Sequence, residues 1–128
     1  MTSMGPIFVL YVADQARSRE FYKKALALEP ALDVPGMTEF DLGGCTLGLM
    51  PEQGIAKILG SSVPDPATGN GIPRCEVYLF VDDPRACADR ATAAGAKPVS
   101  PLAKRDWDDE AVYLADPDGH IVAFARKA

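Results

Sequence analysis

Apolar and polar positions follow the same succession of patterns in both halves of the chain. A strand-sized apolar run, an acidic residue and a helical segment occur over residues 10–30 and again over residues 79–99, at an offset of 69. Asp14 and Asp83 each precede the helical segment, where a carboxylate accepts hydrogen bonds from the free N–H groups of the first turn. Pro84 follows Asp83 at the first helical position, where its missing N–H costs nothing. The pattern therefore predicts a strand and a capped helix in each half.

The remainder of each half also repeats. Residues 40–50 and 115–125 both predict two strands joined by a glycine-containing turn, and aligning Gly44 with Gly119 gives an offset of 75. The second half therefore carries six more residues than the first, around residues 101–111. A short helix that stops at Gly60 is predicted before the end of the first half.

These elements predict an α+β fold in a single domain covering residues 1–128. It consists of two βαβββ modules, and the family resemblance given below implies that they form a cleft of curved mixed sheets, with the helices on the outer face. Module one spans about residues 5–60 and module two about residues 74–126. The linker, residues 61–73, contains three prolines and two glycines, which disfavour regular structure.

Composition and charge narrow the range of partners. A chain of 128 residues with 48% hydrophobic content fills one core, and the net charge of −5 argues against nucleic acid or an anionic membrane. The first six residues lack the basic start and apolar run of a signal peptide. Three cysteines without metal-ligand spacing are typical of buried thiols in a reducing compartment, so we expect a cytoplasmic protein.

The two halves, with "YVADQARSREFYKKAL" early and "DPDGHIVAFA" late, resemble the vicinal oxygen chelate superfamily. That superfamily contains glyoxalase I, extradiol dioxygenases, and fosfomycin and bleomycin resistance proteins. The resemblance covers roughly residues 5–126. It implies a cleft between two curved sheets, commonly completed by pairing of modules within a homodimer, so we expect a homodimer. Function has to be argued from the site, because this fold supports several chemistries.

The resemblance also implies where a metal would bind. In the metal-dependent members, one position in each of four strands supplies a ligand, and the matching positions here are Ile7, Gly48, Glu76 and Ala123. A catalytic divalent ion needs about three protein ligands, and Glu76 alone does not supply them. We therefore expect no metal and no other cofactor.

The strand facing implied by the resemblance places an apolar, partly aromatic set of side chains in the cleft around Glu76. Phe8, Leu10 and Val12 are expected to pack under the helices instead. The alternative is that the cleft residues simply fill the core. The predicted ligand-binding residues are Ile7, Val9, Tyr11, Gly48, Met50, Tyr78, Phe80, Trp107, Ile121 and Ala123.

Glu76 has three candidate roles. It anchors a cationic group of the ligand, acts as a general base, or is a structural glutamate paired to an arginine such as Arg74 or Arg105. Burial among apolar side chains would disfavour its ionised form.

Three further features lie near the last hairpin. His120 is the only histidine, and alternation places it opposite Ala123, so we expect it at the rim or in solvent. The acidic residues 106 and 108–110 are expected in an exposed loop. Trp107, in the same loop, is interpreted as a stacking surface at the cleft rim or as a lid over the dimer seam.

The leading prediction is a metal-free protein that binds or sequesters an apolar or aromatic small molecule. The alternatives are an enzyme like glyoxalase I (lactoylglutathione lyase) or a dioxygenase, and a metal-independent isomerase that uses Glu76 as its base. A purely structural or regulatory dimer is a third class, which no residue favours.

Overall fold

The computed structural model describes residues 5–69 and 71–128. Residues 1–4, on which much of the signal-peptide expectation depends, and Asn70 of the linker lie outside the described residues. In chain order the strands are β1 (Ile7–Val12), β2 (Leu32–Val34), β3 (Met37–Asp41), β4 (Thr46–Pro51), β5 (Glu76–Phe80), β6 (Lys97–Lys104), β7 (Asp109–Ala115) and β8 (Ile121–Lys127). The helices are α1 (Gln15–Leu26), α2 (Glu52–Leu59) and α3 (Pro84–Ala93). Two short 3₁₀ turns, Gly60–Ser62 and Pro66–Gly69, occupy part of the linker.

The strands form two four-stranded sheets of the same design, which confirms the predicted α+β fold of two βαβββ modules. The first sheet has the order β1-β4-β3-β2 and the second β5-β8-β7-β6. In each sheet the first strand runs parallel to the last strand of its module, and the remaining neighbours are antiparallel. In each module a helix follows the first strand, and two further strands precede the strand that pairs with it, so the connection between the parallel neighbours is long, as a parallel pairing requires.

The helix boundaries arise from the predicted caps. The side chain of Asp14 accepts from the N–H of Arg17 at 3.0 Å, and that of Asp83 accepts from the N–H of Ala86 at 3.1 Å. The short helix α2 ends at Gly60, as predicted.

The two modules share one apolar core. Helices α1 and α3 contact each other, while α1 covers one face of the first sheet and α3 covers one face of the second. Leu10 and Val12 of β1 are buried beneath α1, as expected. Phe8 is not: it is 65% exposed, because it lies near the start of β1, an edge strand.

The opposite face of each sheet is open. In the described part of the chain no hydrogen bonds join the two sheets, so the predicted cleft is not closed within one chain. The open faces carry exposed apolar side chains, including Ile7 at 51% and Phe80 at 59% exposure.

Two local expectations were wrong. The six additional residues of module two mostly lengthen β6 and β7 instead of forming a long loop, since only residues 105–108 separate these strands. Of the three free cysteines, only Cys87 is buried, because its helix packs into the core, whereas Cys75 is exposed.

No helix among residues 5–69 and 71–128 combines the length and apolar character that a membrane span requires.

Candidate functional site

The open face of the second sheet gathers aromatic side chains over a floor of alanines. The ring centroids of Tyr78 and Phe80 are 5.5 Å apart in an edge-to-face arrangement, and Tyr113 lies 6.4 Å from Tyr78. Trp107, from the turn between β6 and β7, donates from Nε1 to the Tyr78 hydroxyl at 3.1 Å. We call these four residues the aromatic face.

Small residues of β7 and β8 keep this face flat. Ala123 is in register with both Tyr78 on one side and Tyr113 on the other. Ala125 is in register with Phe80 and with Ala111, and all three alanines are fully buried although they lie outside the main core. Their burial indicates that the neighbouring aromatic rings cover them.

A buried carboxylate supports the aromatic face. Asp109 is only 2% exposed, and its Oδ2 accepts from the Tyr78 hydroxyl at 2.8 Å. Its Oδ1 lies 3.3 Å from Nζ of Lys127, whose ammonium also sits 5.0 Å from the centroid of the Phe80 ring. The Tyr78 hydrogen bond is the main cause that holds the pKa of Asp109 below its ordinary value. Burial in turn raises the pKa of Tyr78, so the phenol stays protonated and donating.

Asp109 and its neighbour Glu110 correct the expectation of an exposed acidic loop. Both belong to β7. Asp109 is buried because the longer β7 carries it into the sheet, and Glu110 pairs with Arg126 at 2.8 Å.

The predicted residues of module one lie on the other sheet. Ile7, Val9 and Tyr11 alternate along β1 on the open face of the first sheet, opposite to the buried Leu10 and Val12. Gly48 is in register with Val9. A Cβ at Gly48 would meet Met37, Val9 and Ile7 at 3.2–3.4 Å, so the side chains around it already close over the glycine. Met50 is in register with Tyr11 on the same face.

The chain thus brings together Tyr78, Phe80, Trp107 and Ala123 in one group and Ile7, Val9, Tyr11, Gly48 and Met50 in another. Ile121 continues the open face of the second sheet, in register with Glu76. The two groups belong to separate sheets, and no strand pairing joins them within the described part of the chain.

Glu76 is exposed and not buried among apolar groups. Neither Arg74 nor Arg105 pairs with it within the described chain, so a structural role for Glu76 would require an arginine of a second copy. Glu76 is therefore not desolvated as expected, because no described residue covers this end of the open face.

The positions that the family resemblance assigns to metal ligands do not fit a metal. Ile7, Gly48 and Ala123 have no side-chain donor atom, and Ala123 is fully buried between two tyrosine positions. Glu76 offers one carboxylate, whereas a catalytic ion needs about three ligands.

The turn at residues 116–120 holds a compact hydrogen-bonded cluster. The Asp116 carboxylate is buried and accepts from the Tyr22 hydroxyl at 2.6 Å, and Nδ1 of His120 lies 3.1 Å from the same oxygen. The other oxygen accepts from the N–H groups of Asp118 and His120. His120 does not face open solvent, one of its two expected placements: its side chain is 18% exposed, because Asp116 binds it against the turn.

These hydrogen bonds set the protonation of the cluster. Burial would raise the pKa of Asp116, but the bonds from His120 and Tyr22 outweigh burial and hold that pKa below its ordinary value. Burial likewise would lower the pKa of His120, but the hydrogen bond and charge of Asp116 outweigh it and raise the pKa.

Asp116, Asp118 and His120 place potential ligand atoms within 4.8 Å of one another. Their oxygens are nevertheless already used. Asp118 accepts from the N–H of Ala13, from Arg17 and from the hydroxyl of Ser18, at 3.0–3.2 Å. Since these donors lie in or next to α1, the cluster fastens module two to module one and is not organised as a metal centre.

A cavity of about 150 Å³ lies between β1, the linker and this turn. Val9 and Tyr11 contribute to its wall, together with Glu52, Arg74 and His120. Ligand pockets usually occupy about 300–1,000 Å³, so this cavity is small for an aromatic molecule.

Sequence reasoning missed three groups at these sites. Tyr113 shares the facing of Ala123, and alternation along β7 was a signal that would have placed it on the open face. The Tyr22–Asp116 pair gave no signal, because it joins residues 94 positions apart. Arg105 was considered only as a partner of Glu76, but it lies over the Tyr113 ring at 5.1 Å.

Comparison with known proteins identifies the architecture. A family model described as the Glyoxalase/Bleomycin resistance protein/Dioxygenase superfamily matches residues 6–124. No match was found among curated proteins.

Several solved structures share the fold. A glyoxalase-related enzyme from Fulvimarina pelagi superposes with a TM-score of 0.81 at 21% identity, covering 99% of this chain and 89% of its own. A glyoxalase/bleomycin resistance protein/dioxygenase from Nocardioides gives a TM-score of 0.76 at 23% identity, with 99% and 85% coverage. A family enzyme from Burkholderia phytofirmans PsJN gives 0.78 at 14% identity, with 95% and 97% coverage. At these identities the similarity establishes the fold alone.

Proposed function

This chain belongs to the glyoxalase/bleomycin resistance protein/dioxygenase superfamily, and we propose that it binds a flat, largely apolar small molecule without a metal. The ligand stacks on the aromatic face, in a cleft that a second copy of the chain completes. The observation that carries this proposal is the aromatic face itself, four aromatic side chains on a floor of three buried alanines.

The aromatic face is suited to stacking. Phe80 and Trp107 are 59% and 52% exposed, and covering the exposed half of such a side chain stabilises a complex by about 1 kcal/mol. The hydrogen bonds from Trp107 to Tyr78 and from Tyr78 to Asp109 fix the rings in place. A fixed surface loses little conformational entropy when a ligand binds, which favours affinity.

The donor chemistry of the site supports binding without a metal. Of the four positions that supply metal ligands in the metal-dependent family members, only Glu76 has a side-chain donor here, and one donor is too few to hold a catalytic ion. Glu76 stands at the start of β5, on the open face, where it is available to a polar group of the ligand.

The same open faces support a homodimer. Ile7 and Phe80 are exposed on the open faces of separate sheets, and exposed apolar surface of this kind is typical of an interaction site. In a two-fold symmetric pair the same patches of both copies take part. That symmetry allows the first sheet of one copy to face the second sheet of the other and to cover both. The three free cysteines support a cytoplasmic location for this dimer.

Three measurements test the proposal. A thermal-shift screen with flat aromatic compounds is expected to raise the Tm, and quenching of Trp107, the only tryptophan, locates the ligand. Failure of every aromatic compound to stabilise the protein would remove the main support for the binding function.

The second measurement is metal analysis after loading with Ni²⁺, Zn²⁺, Mn²⁺ or Fe²⁺, for wild type and for Glu76→Ala. We expect no stoichiometric metal in either. One ion per chain that is lost in Glu76→Ala would contradict the metal-free proposal and favour a glyoxalase-like or dioxygenase-like enzyme.

The third measurement is the molar mass in solution by light scattering. We expect a dimer that Phe80→Asp weakens, because the substitution places a charge in the covered face. Leu28→Asp, at an exposed apolar residue that follows α1, is the control and is expected to remain dimeric. A wild-type monomer at all concentrations would exclude the shared cleft.

A further inference from the structure

Arg105 borders the aromatic face and is held rigidly there. Its Nη2 donates to the carbonyl oxygens of Pro101 and Ala111 at 2.7 and 2.8 Å and to the Ser100 hydroxyl at 3.2 Å. Its Nε also donates to the Ala111 carbonyl, at 3.3 Å. The guanidinium carbon lies 5.1 Å from the centroid of the Tyr113 ring.

The charge of this guanidinium is not neutralised by the protein. All of its acceptors are uncharged, and no carboxylate among residues 5–69 and 71–128 forms an ion pair with it. The nearby carboxylate of Asp109 is already paired with Lys127 and Tyr78. Nη1 takes part in none of the hydrogen bonds that fix the side chain, so it keeps its donors for another group.

Glu76 is the competing charge on the same face. Burial raises the pKa of Tyr113, the charge of Glu76 adds to the rise and the charge of Arg105 opposes it, so both charges act on this ring. Glu76 is exposed and has no partner to fix it, and exposed charges contribute little to binding. Arg105 is half-buried and already ordered, so its interaction with a ligand costs less entropy.

We propose that Arg105 determines specificity by recognising an anionic group, and that the ligand class is a planar aromatic acid. The proposal rests on the proposed function, since it assumes that the ring of the ligand stacks on the aromatic face. Nη1 is the nitrogen with unused donors, and it offers them to a carboxylate or a similar oxyanion in a charge-assisted hydrogen bond.

Three probes of equal ring size test the proposal by isothermal titration calorimetry on the wild-type protein. They are 2-naphthoate, which is anionic, 2-naphthamide, which is neutral, and 2-naphthylmethylamine, which is cationic at neutral pH. We expect 2-naphthoate to bind about tenfold more tightly than 2-naphthamide, the size of one charge-assisted hydrogen bond. Equal affinities, or a preference for the amine, would overturn the anion proposal while leaving aromatic binding intact. Absence of binding by all three would instead contradict the proposed function.

Variants then assign the preference to one residue. Arg105→Gln is expected to abolish the preference for 2-naphthoate while the affinity for 2-naphthamide stays within about twofold of the wild type. Lys104→Gln removes the same charge from the neighbouring exposed residue and is expected to keep the preference.

Two outcomes of the variants would overturn the assignment. One is a preference that persists in Arg105→Gln, and the other is a preference that is lost in Lys127→Gln but not in Arg105→Gln. If Arg105→Gln does not fold, Arg105→Lys replaces it. The lysine keeps the charge but lacks the guanidinium that Ser100, Pro101 and Ala111 hold in place, so the preference must fall by several-fold, and an unchanged preference would overturn the proposal.

Discussion

The hydroxyl of Tyr22 ties helix α1 of module one to the final hairpin of module two, and its removal tests how strongly the modules are joined. Tyr22→Phe keeps the ring, which packs edge-to-face on Phe21 at 4.9 Å, and removes only the donor at 2.6 Å from Asp116. Both side chains are buried, and a hydrogen bond to a charged group contributes about 1.5–3 kcal/mol. Asp116 retains its bonds from two backbone N–H groups and His120, so we expect a loss of about 2 kcal/mol.

Urea unfolding followed by circular dichroism measures this loss. For a chain of 128 residues each kcal/mol lowers the Tm by roughly 3–4 °C, so thermal unfolding is expected to shift by about 7 °C. Tyr11→Phe is the matched control, because Tyr11 is only partly buried and no described group bonds its hydroxyl; we expect less than about 0.5 kcal/mol. If Tyr22→Phe changes the free energy of unfolding no more than the control does, the hydrogen bond does not hold the modules together.

Two further predictions concern the same turn. The pKa of His120 is raised in the folded state, so its pairing with Asp116 stabilises the protein fully below about pH 6.5, and this contribution is lost as the pH rises through the folded pKa. His120→Gln should therefore flatten the dependence of the free energy of unfolding on pH between about pH 5.5 and 8.5. An unchanged slope would contradict the pairing. Gly119 has a φ of 91°, and a Cβ there would lie 2.6 Å from the carbonyl oxygen of Gly71. Gly119→Ala is therefore expected to lower the free energy of unfolding by about 1–3 kcal/mol more than Gly43→Ala, which has a similar φ but open space around it; equal effects would show that the close approach is easily relieved.

Local chemistry explains why so much of the fold was predictable. Asp14 and Asp83 cap their helices through contacts within three residues, and Gly60 ends α2 at the predicted position. The repeat predicted the same succession of elements in both modules, and the two sheets have the same strand order. Each of these features depends on residues that are close in the sequence, and such local contacts can be predicted from the sequence.

The candidate site was only half predictable, because its decisive contacts are non-local. Tyr78 and Phe80 share the open face on which they were expected, and Trp107 was expected at its rim, but the exposure of Glu76 was not expected. That exposure depends on whether another sheet covers the strand, and no residue near Glu76 carries this information. The same applies to His120, whose environment is set by Asp116 and by a helix from the other module.

The alternation along β1 shows where sequence reasoning ends. Both faces of this strand are apolar, yet Val12 is fully buried while Ile7 is 51% exposed, because Val12 lies beneath α1 and Ile7 lies on the open face near the start of the strand. An apolar residue that its own chain leaves exposed costs free energy unless something else covers it. A second copy would cover the open face permanently, whereas a ligand covers it only when bound. The light-scattering measurement separates these cases. If the protein is a monomer with an intact aromatic face, the ligand and not a second copy is the group that covers this face.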